Sequence, residues 1–258
     1  MKTCGLKIDE RRQKILEILG RDGQVAVARL SQELGTSVVT IRNDLAALEQ
    51  NGYLERTYGG AVQSANNYYC RDFRFRTQQN LPHKKDIAAG VAGLVRDGET
   101  LLINSGTTTY YIAMELKQKK NLNIVTNSLM VAVELSDVPS FRVFLLGGNI
   151  NARYSFTYGM SALLELQKYK ADKAILSMDG ISIDHGLTTY HAEEAEIDKA
   201  MIDRARQVII AADLSKYGHE SFFRVCPLSE TYTWVTNAGA SESNYEKIRS
   251  AGNTVIVC

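Results

Sequence analysis

The first fifty residues carry apolar side chains at helical spacing, interrupted by glycines. The spacing predicts three short helices: one from Asp9 to Gly20 or Gly23, one over residues 25–34 and one over residues 37–50. Gly35 ends the second, because glycine readily takes the left-handed conformation found after helix ends. The apolar positions are Ile15, Leu16, Ile18 and Leu19 in the first helix, Ala28, Leu30 and Leu34 in the second, and Val38, Ile41, Leu45 and Leu48 in the third.

A short hairpin is predicted next. Residues 53–58 resemble a strand, Gly59-Gly60 turns the chain, and Ala61 and Val62 begin the return strand. Three helices followed by a hairpin are the elements of a winged helix-turn-helix domain, to which we assign residues 1–62. A three-helix subdomain used for dimerisation has the same pattern, so the pattern alone leaves both interpretations open.

The character of the chain changes after residue 62. Residues 63–83 are first polar and small, then rich in arginine and aromatic side chains, which predicts a linker that is helical in part. From residue 84 to residue 258, buried strands alternate with helices, which predicts an α/β domain with a mainly parallel sheet covered on both faces. The predicted strands are 100–103, 123–126, 142–146, 173–178, 207–212, 234–236 and 254–257, and the helices between them are 107–117, 129–135, 161–167, 193–206 and 244–250.

The third helix has a polar face that suits the major groove of DNA. With its apolar stripe packed inward, Arg42 is expected to contact guanine and Asn43 to pair with adenine. Asp44 and Glu49 should point away from the phosphates. The expected DNA-binding residues are Ser37, Val39, Thr40, Arg42 and Asn43, joined by Arg56 and Tyr58 on the hairpin.

A loop rich in hydroxyl groups follows the strand at 100–103. Ser105, Gly106, Thr107, Thr108 and Thr109 lie between that strand and the next helix. Free backbone N–H groups at a helix start, surrounded by hydroxyls, form an anion site. The alternative is that Thr107 or Thr108 only caps the helix. We favour a phosphate site, because ligands of α/β sheets gather at the carboxyl ends of strands.

Other candidate ligand-binding residues also follow strands. Asn127 either bonds a sugar hydroxyl or begins a helix, and Gly147-Gly148 either leaves room for a ligand or forms a tight turn. Asp179 ends a strand, where a carboxylate suits sugar hydroxyls. Lys216 either supplies positive charge for a phosphate or pairs with a carboxylate, of which Asp179, Asp213 and Glu194 are the candidates.

Composition narrows the class of protein without naming its partner. The chain is 45% hydrophobic and 23% charged, as globular proteins are, and its net charge of +1 argues neither for nor against nucleic acid. No apolar run approaches the ~18–20 residues of a membrane helix, and the first residues lack the apolar core of a secretory signal, so a cytoplasmic protein is expected. Neither the histidines nor the cysteines have ligand spacing, so no metal and no cofactor are predicted. The cysteines are Cys4, Cys70, Cys226 and Cys258.

These motifs together resemble the DeoR family of bacterial transcriptional repressors. The N-terminal match runs through Glu10-Arg11-Arg12-Gln13, Leu30-Ser31, Leu34-Gly35, Thr40-Ile41-Arg42-Asn43-Asp44-Leu45 and Tyr58-Gly59-Gly60-Ala61. It continues through Asp97-Gly98-Glu99, Ser105-Gly106-Thr107-Thr108-Thr109, Thr126-Asn127-Ser128, Gly147-Gly148, Asp179-Gly180, Gly186-Leu187-Thr188-Thr189, Glu194-Ala195 and Asp213 with Ser215-Lys216.

The resemblance implies a C-terminal domain related in fold to ribose-5-phosphate isomerase and CoA transferases. It implies a repressor of sugar-catabolic genes that binds double-stranded operator DNA and is released by a phosphorylated sugar. Two departures bear on the effector: Asn104 stands where the family usually has aspartate, and residues 153–157 are bulkier and more aromatic than usual.

Two further expectations complete the interpretation. Helix-turn-helix proteins generally bind paired half-sites, so we expect a homo-oligomer, either a dimer or a tetramer. The alternative function is a sugar-phosphate isomerase or CoA-transferase-like enzyme with an appended DNA-binding domain. We expect no enzyme, because fold does not imply activity and Asn104 replaces a carboxylate by an amide that cannot act as a base.

Overall fold

The computed structural model describes residues 8–50, 54–62, 73–228, 232–239, 242–250 and 252–258. The chain divides into two compact units, Met1–Asp72 and Phe73–Cys258. Residues 73–83, which the sequence predicted to belong to a linker, are largely helical and lie in the second unit. Residues 63–72 of that linker lie outside the described residues.

The first unit contains three helices and a three-stranded antiparallel sheet. Its elements are α1 (Ile8–Asp22), β1 (Gln24–Ala26), α2 (Val27–Glu33), α3 (Val38–Gln50), β2 (Glu55–Thr57) and β3 (Gly60–Val62), with strand order β1-β3-β2. The second predicted helix therefore begins later than expected, because residues 24–26 pair with β3 instead. Apolar residues of all three helices form the core, namely Ile15, Leu19, Leu30, Ile41 and Leu45.

The second unit is built on a seven-stranded sheet in which every pairing is parallel. Its strands are β4 (Thr100–Ile103), β5 (Asn123–Thr126), β6 (Arg142–Leu145), β9 (Ala171–Leu176), β12 (Ala205–Ala211), β14 (Tyr232–Thr236) and β15 (Thr254–Val257). Their order is β15-β14-β12-β9-β4-β5-β6. The predicted α/β architecture is confirmed, and each strand buries apolar side chains on both faces except at the edges.

Helices cover both faces of this sheet. They are α4 (Phe73–Gln78), α5 (Leu81–Gly93), α6 (Thr107–Leu116), α7 (Leu129–Leu135), α8 (Met160–Leu166), α9 (Ala192–Arg204) and α10 (Glu242–Ser250). Successive residues of a strand point to opposite faces of the sheet. Leu101 and Ile103 pack with α5, α6 and α7, whereas Leu102 packs on the side of α8 and α9.

Three features differ from the predicted pattern. The sequence analysis did not predict the hairpin of β7 (Asn149–Asn151) with β8 (Phe156–Tyr158). Nor did it predict the antiparallel sheet of β10 (Gly180–Ser182), β11 (Gly186–Thr189) and β13 (Phe223–Cys226). The strand predicted as buried at 142–146 is an edge strand with largely exposed side chains, because it has a neighbour on one side only.

Candidate effector site and DNA-binding face

The strand order reverses between β4 and β9. The chain runs from β4 outward through β5 to β6, and then returns to the other side of β4 for β9, β12, β14 and β15. Connections on the two sides of such a switch point leave a crevice at the carboxyl ends of the strands, where α/β proteins bind ligands. The segments that follow β4 and β9 hold several of the predicted site residues.

Asn104, the first residue after β4, joins the two strand ends. Its Nδ2 donates to the Ser177 carbonyl at 3.0 Å and its Oδ1 accepts the Ser177 N–H at 3.0 Å. The same Nδ2 donates to Oδ1 of Asp198 on α9 at 2.9 Å. Since an amide offers donor and acceptor together, Asn104 satisfies two backbone groups of Ser177 and a carboxyl oxygen of Asp198 without adding charge.

The hydroxyl-rich loop leads directly into α6. Gly106 is the residue before the helix and has no side chain that could accept the N–H groups of the first turn, so the capping alternative for Thr107 or Thr108 is not the geometry found. A Cβ at Gly106 would lie 2.8 Å from the Ser177 Cβ, which explains the glycine. Thr107, Thr108 and Thr109 are buried, and the Thr109 hydroxyl lies within donor distance of the Asn104 and Gly106 carbonyls.

Asp179 and Glu194 meet at Thr189. The Thr189 hydroxyl lies 3.1 Å from Asp179 Oδ2 and 3.1 Å from Glu194 Oε2. Asp179 Oδ2 also accepts the Tyr190 N–H at 3.1 Å, and Ser105 donates its hydroxyl to Glu194 Oε1 at 2.7 Å. The predicted residues Ser105, Asp179 and Glu194 therefore belong to one hydrogen-bonded cluster.

Burial changes the ionisation of this cluster. The pKa of Glu194 is raised to about 7, mainly by burial and further by the charge of Asp179, against the opposing effect of the Ser105 hydrogen bond. The pKa of Asp198 is also raised, by burial first and by Glu194 next. Among the described residues, Asp198 Oδ2 is buried without a hydrogen-bond partner.

Two cations that the sequence analysis did not select approach the cluster from α4 and α5. Arg76 forms an ion pair with Asp179, Nη2 to Oδ1 at 3.4 Å, and its guanidinium lies 5.7 Å from the centre of the Tyr154 ring. Lys84 is buried, donates to the Arg76 carbonyl, and has its pKa lowered to about 7 by burial and by the nearby Arg76 charge. The available signal was the run of arginines and aromatics in the predicted linker.

Lys216 lies in a short 3-10 helix, Leu214–Lys216, that follows β12. Asp213 caps this turn by accepting the Ser215 N–H at 2.9 Å, and it also accepts from Asn80 at 3.3 Å. Lys216 is buried, which lowers its pKa to about 7. Because burial disfavours the charged ammonium, an anion close to a buried lysine stabilises that charge more than it would at an exposed lysine.

Asn127, Gly147 and Gly148 lie after β5 and β6, with different partners. Asn127 donates to the Thr157 carbonyl at 3.3 Å, and its buried Oδ1 has no partner in the part of the chain described. Gly147 is exposed and donates its N–H to Glu165 on α8. Gly148 has φ +140°, and a Cβ there would lie 2.4 Å from the Tyr158 carbonyl, so packing against β8 already requires it.

An aromatic cluster borders Asp179. The His191 ring lies 4.4 Å from the Tyr154 ring and 5.1 Å from the Tyr190 ring, centre to centre. Burial lowers the His191 pKa, although Asp179 and Glu193 oppose the change. Within the described ranges, His191 Nε2 is buried without a hydrogen-bond partner. The His191 ring therefore presents an unsatisfied polar atom within this cluster.

Most of the α3 residues predicted to contact DNA lie at the surface. Ser37 and Val39 are exposed, as are Arg42 and Asn43, and Thr40 is half-buried. The Ser37 hydroxyl accepts the Thr40 N–H at 3.1 Å and so caps α3. Val38, predicted to pack inward, is 39% exposed because it lies in the first turn, at the margin of the core.

The hairpin residues predicted to reach DNA are also at the surface. Arg56 pairs with Glu49, its Nε lying 2.8 Å from Glu49 Oε2, and Tyr58 is fully exposed at the β2–β3 turn. The negative charge of Glu49 is thus paired with the positive charge of Arg56. Asp44 is buried, accepting from Arg11 Nε at 2.5 Å and Arg12 Nε at 3.0 Å, so it points away from a bound duplex as expected.

Comparison with known proteins gives these two units a family. Residues 11–66 match the DeoR-like helix-turn-helix domain, and residues 79–238 match the DeoR C terminal sensor domain. The chain belongs to the DeoR family. It is a DNA-binding transcriptional regulator composed of a helix-turn-helix unit and a sensor unit.

Relatives cover almost the whole of this DeoR-family chain. A putative aga operon transcriptional repressor of Escherichia coli O157:H7 is 30% identical, covering 96% of this chain and 93% of the relative. The regulator GlpR of Haloferax volcanii is 32% identical over 96% of both chains, and the repressor GlcR of Bacillus subtilis is 32% identical over 89% and 88%. These relatives are named as regulators and repressors, so the enzyme alternative has no support among them.

The structural likeness to an enzyme is slight. Ribose 5-phosphate isomerase A of Methanocaldococcus jannaschii aligns at 16% identity with a TM-score of 0.40, over 54% of this chain and 55% of its own. At that level it carries no argument about activity. No helix among the described residues is long and apolar enough to span a membrane. In the same ranges, no three His, Cys, Asp or Glu side chains are grouped so as to hold a metal ion.

Proposed function

We propose that this DeoR-family regulator represses genes of sugar catabolism and that a phosphorylated sugar, bound at the carboxyl edge of its parallel sheet, lowers its affinity for operator DNA. The names of the relatives support the class of genes, since an aga operon repressor, GlpR and GlcR are among them. The charge and hydrogen bonding of the strand-end cluster support the class of effector.

The start of α6 is the proposed phosphate site. Its first-turn N–H groups have no side-chain cap, and the hydroxyls of Ser105, Thr107 and Thr108 are the polar side chains nearest to them in sequence. A helix N-terminus attracts anions through these N–H groups and through the helix dipole. This uncapped, hydroxyl-rich helix start at the switch point of the sheet is the observation that carries the proposal.

Buried lysines supply the complementary charge. Lys84 and Lys216 both have pKa values lowered to about 7, so each is only partly charged at neutral pH. A phosphate nearby would stabilise their charged forms. Phosphate binding should therefore be accompanied by proton uptake, which a neutral sugar would not cause.

Asp179 and Glu194 are the proposed partners of the sugar hydroxyls. Carboxylate oxygens accept hydroxyl hydrogens strongly, and both side chains are already held by Thr189. Asn127, whose Oδ1 is buried without a partner in the described part of the chain, is a further hydroxyl acceptor. Gly147 and Gly148 complete the proposed rim of the site beyond β6.

The exposed face of α3 is the proposed operator contact. Arg42 and Asn43, which are exposed, are proposed to contact base edges, and Ser37, Val39 and Thr40 to approach the duplex closely. Arg56 and Tyr58 are proposed to touch the backbone or the minor groove. We propose a cytoplasmic homo-oligomer, a dimer or a tetramer, because paired half-sites require two such faces.

The test is fluorescence anisotropy with labelled DNA from the upstream region of the regulator's own gene, at fixed salt. A panel of glucose 6-phosphate, fructose 1-phosphate, fructose 6-phosphate, ribose 5-phosphate and glycerol 3-phosphate is compared with the unphosphorylated sugars. We expect specific binding that one phosphorylated compound releases. Release by a free sugar alone, or specific binding that nothing on a widened phosphate panel releases, contradicts the phosphorylated effector.

Two neighbouring lysines provide a matched pair of variants. Lys84 is buried beside Arg76, whereas Lys85 is exposed on the same helix. Lys84→Ala should retain operator binding and lose most of the response to the active sugar phosphate. Lys85→Ala removes the same charge from the surface and should respond as the unaltered protein does. Equal responses of the two variants would remove Lys84 from the phosphate site.

A further inference from the structure

Helix α4 is the first described element after residues 63–72, the segment that joins it to β3 of the DNA-binding unit. It is short, yet it is fastened to the sensor unit along its length. The Phe73 N–H donates to the Arg153 carbonyl at 3.2 Å, and the Phe73 ring meets the Tyr110 ring edge-on at 5.7 Å. The Thr77 carbonyl accepts from the Tyr111 hydroxyl at 3.3 Å.

Arg76 is the residue of α4 that contacts the hydrogen-bonded cluster of Ser105, Asp179 and Glu194, through its ion pair with Asp179. Its side chain is 15% exposed and that of Asp179 is 8% exposed, so their ion pair is largely shielded from water. The carbonyl of Arg76 accepts from Lys84, which links the same residue to the proposed phosphate site. One residue thus contacts both a sugar-binding carboxylate and a phosphate-binding lysine.

Both partners of the ion pair are incompletely satisfied. Asp179 Oδ2 accepts the Tyr190 N–H and lies beside the Thr189 hydroxyl, both at 3.1 Å, whereas Oδ1 has the 3.4 Å contact with Arg76. In the described residues, Arg76 Nε is buried without a partner. A ligand hydroxyl can approach a carboxylate to about 2.7 Å. It therefore offers Asp179 a shorter hydrogen bond than the 3.4 Å contact with Arg76.

We infer that Arg76 is the positioning residue that couples the sensor site to the DNA-binding unit, and that a hydroxyl of the sugar phosphate displaces it from Asp179. The inference rests on the proposed function. With the pair formed, α4 is held against the sensor unit and the operator-binding state is favoured. With Asp179 occupied by the sugar, Arg76 is released and α4 loses its ion pair with the sensor unit.

Linkage fixes what the loss of Arg76 must do. If the pair favours the operator-binding state and competes with the sugar, its removal weakens DNA binding and strengthens sugar binding together. A residue that only stabilises the fold would not strengthen sugar binding. A loss of operator affinity together with a gain of sugar affinity therefore indicates coupling.

The experiment compares Arg76→Gln with the unaltered full-length protein by operator anisotropy and by calorimetric titration of the sugar phosphate that releases the unaltered protein. We expect operator affinity to fall about tenfold without sugar phosphate, within the usual range of coupling. We also expect the sugar phosphate to bind the variant at least as tightly, and to change its operator affinity less than twofold. Arg96→Gln, at an exposed arginine, is the control and should match the unaltered protein.

The outcomes separate the inference from the proposed function. If the unaltered protein binds operator but no sugar phosphate, the proposed effector fails and the inference with it. If the unaltered protein responds and Arg76→Gln responds equally, the effector stands and the inference is overturned. If Arg76→Gln does not fold, Arg76→Lys keeps the charge with a shorter reach, and the same opposed shifts, reduced in size, are required of it.

Discussion

The Asn104 amide donates to Oδ1 of Asp198 at 2.9 Å, and both side chains are buried where β4 ends beside α9. Asp198 is one of three buried carboxyl groups in this region, with Asp179 and Glu194. The neutral amide therefore satisfies a buried carboxyl oxygen without adding a fourth acidic group. This relationship gives the amide at position 104 a physical role in the buried cluster.

Asn104→Asp is expected to destabilise the sensor unit at pH 8. The change adds a buried acidic group beside Asp198 and removes the donor to the Ser177 carbonyl. Leaving buried charge uncompensated costs about 3 kcal/mol or more. Urea unfolding followed by the fluorescence of Trp234, the single tryptophan, measures the loss. The loss should shrink at pH 5, where the new carboxyl group is protonated, and a loss that does not change with pH would rule out charge as the cause.

Stability of the sensor unit is expected to fall as pH rises from about 4.5 to about 7. The folded state raises the pKa of Glu194 from 4.5 to about 7, so between these values it holds protons that the unfolded state has released. Each retained proton contributes a slope of up to about 1.4 kcal/mol per pH unit. Urea midpoints across this range, compared with those of Glu194→Gln, measure the effect. An equally steep fall in Glu194→Gln would assign the slope to other groups.

Above neutral pH, the buried lysines give stability a pH dependence of the opposite sign. Burial lowers the pKa values of Lys84 and Lys216 from 10.5 to about 7, so between those values the unfolded state binds more protons than the folded state. The contribution of these two lysines to stability should therefore rise with pH from about 7 toward 10.5. Lys84→Met should flatten this rise, whereas Lys85→Met, at the exposed neighbour, should leave it intact.

Asp44→Asn is expected to destabilise the DNA-binding unit by about 1.5–3 kcal/mol, the usual contribution of a hydrogen bond to a charged group. The carboxylate is buried and accepts from Arg11 and Arg12, which joins α3 to α1. Limited proteolysis and operator affinity at increasing temperature report on this unit. Glu33→Gln removes a surface ion pair with Arg29 and serves as the comparison, with little expected effect. A loss for Asp44→Asn no larger than that of the comparison would contradict the joining role.

Arg42→Ala is expected to weaken operator binding by about 1–3 kcal/mol and to relax the preference at one base position. Arg42 is exposed on α3, where a bidentate contact with guanine is possible. Competition anisotropy with single-base operator variants measures the preference. Lys14→Ala, at an exposed residue of α1, is the control. A uniform loss on every sequence, with a smaller salt dependence, would instead make Arg42 a phosphate contact.

Local sequence patterns were sufficient to predict the seven parallel strands in their order along the chain and the exposed face of α3. Apolar spacing fixed which side of α3 packs inward, so the exposure of Arg42 and Asn43 followed from period alone. Continuous apolar runs marked the parallel strands, because strands covered on both faces exclude polar residues over several positions. Edge strand β6 has an equally apolar composition and was therefore predicted to be buried. Its side chains are largely exposed, because the strand has a neighbour on one side only.

The assembly of the candidate site could not be predicted from local patterns, because it depends on the tertiary structure. Ser105, Asp179 and Glu194 lie on three different elements, and their hydrogen bonds depend on the switch point between β4 and β9. Arg76 was predicted to belong to a linker and Lys84 was not selected at all, because a charged side chain outside a periodic pattern does not reveal what it will face. The pKa changes likewise arise from burial, which a local pattern does not determine for a single charged side chain.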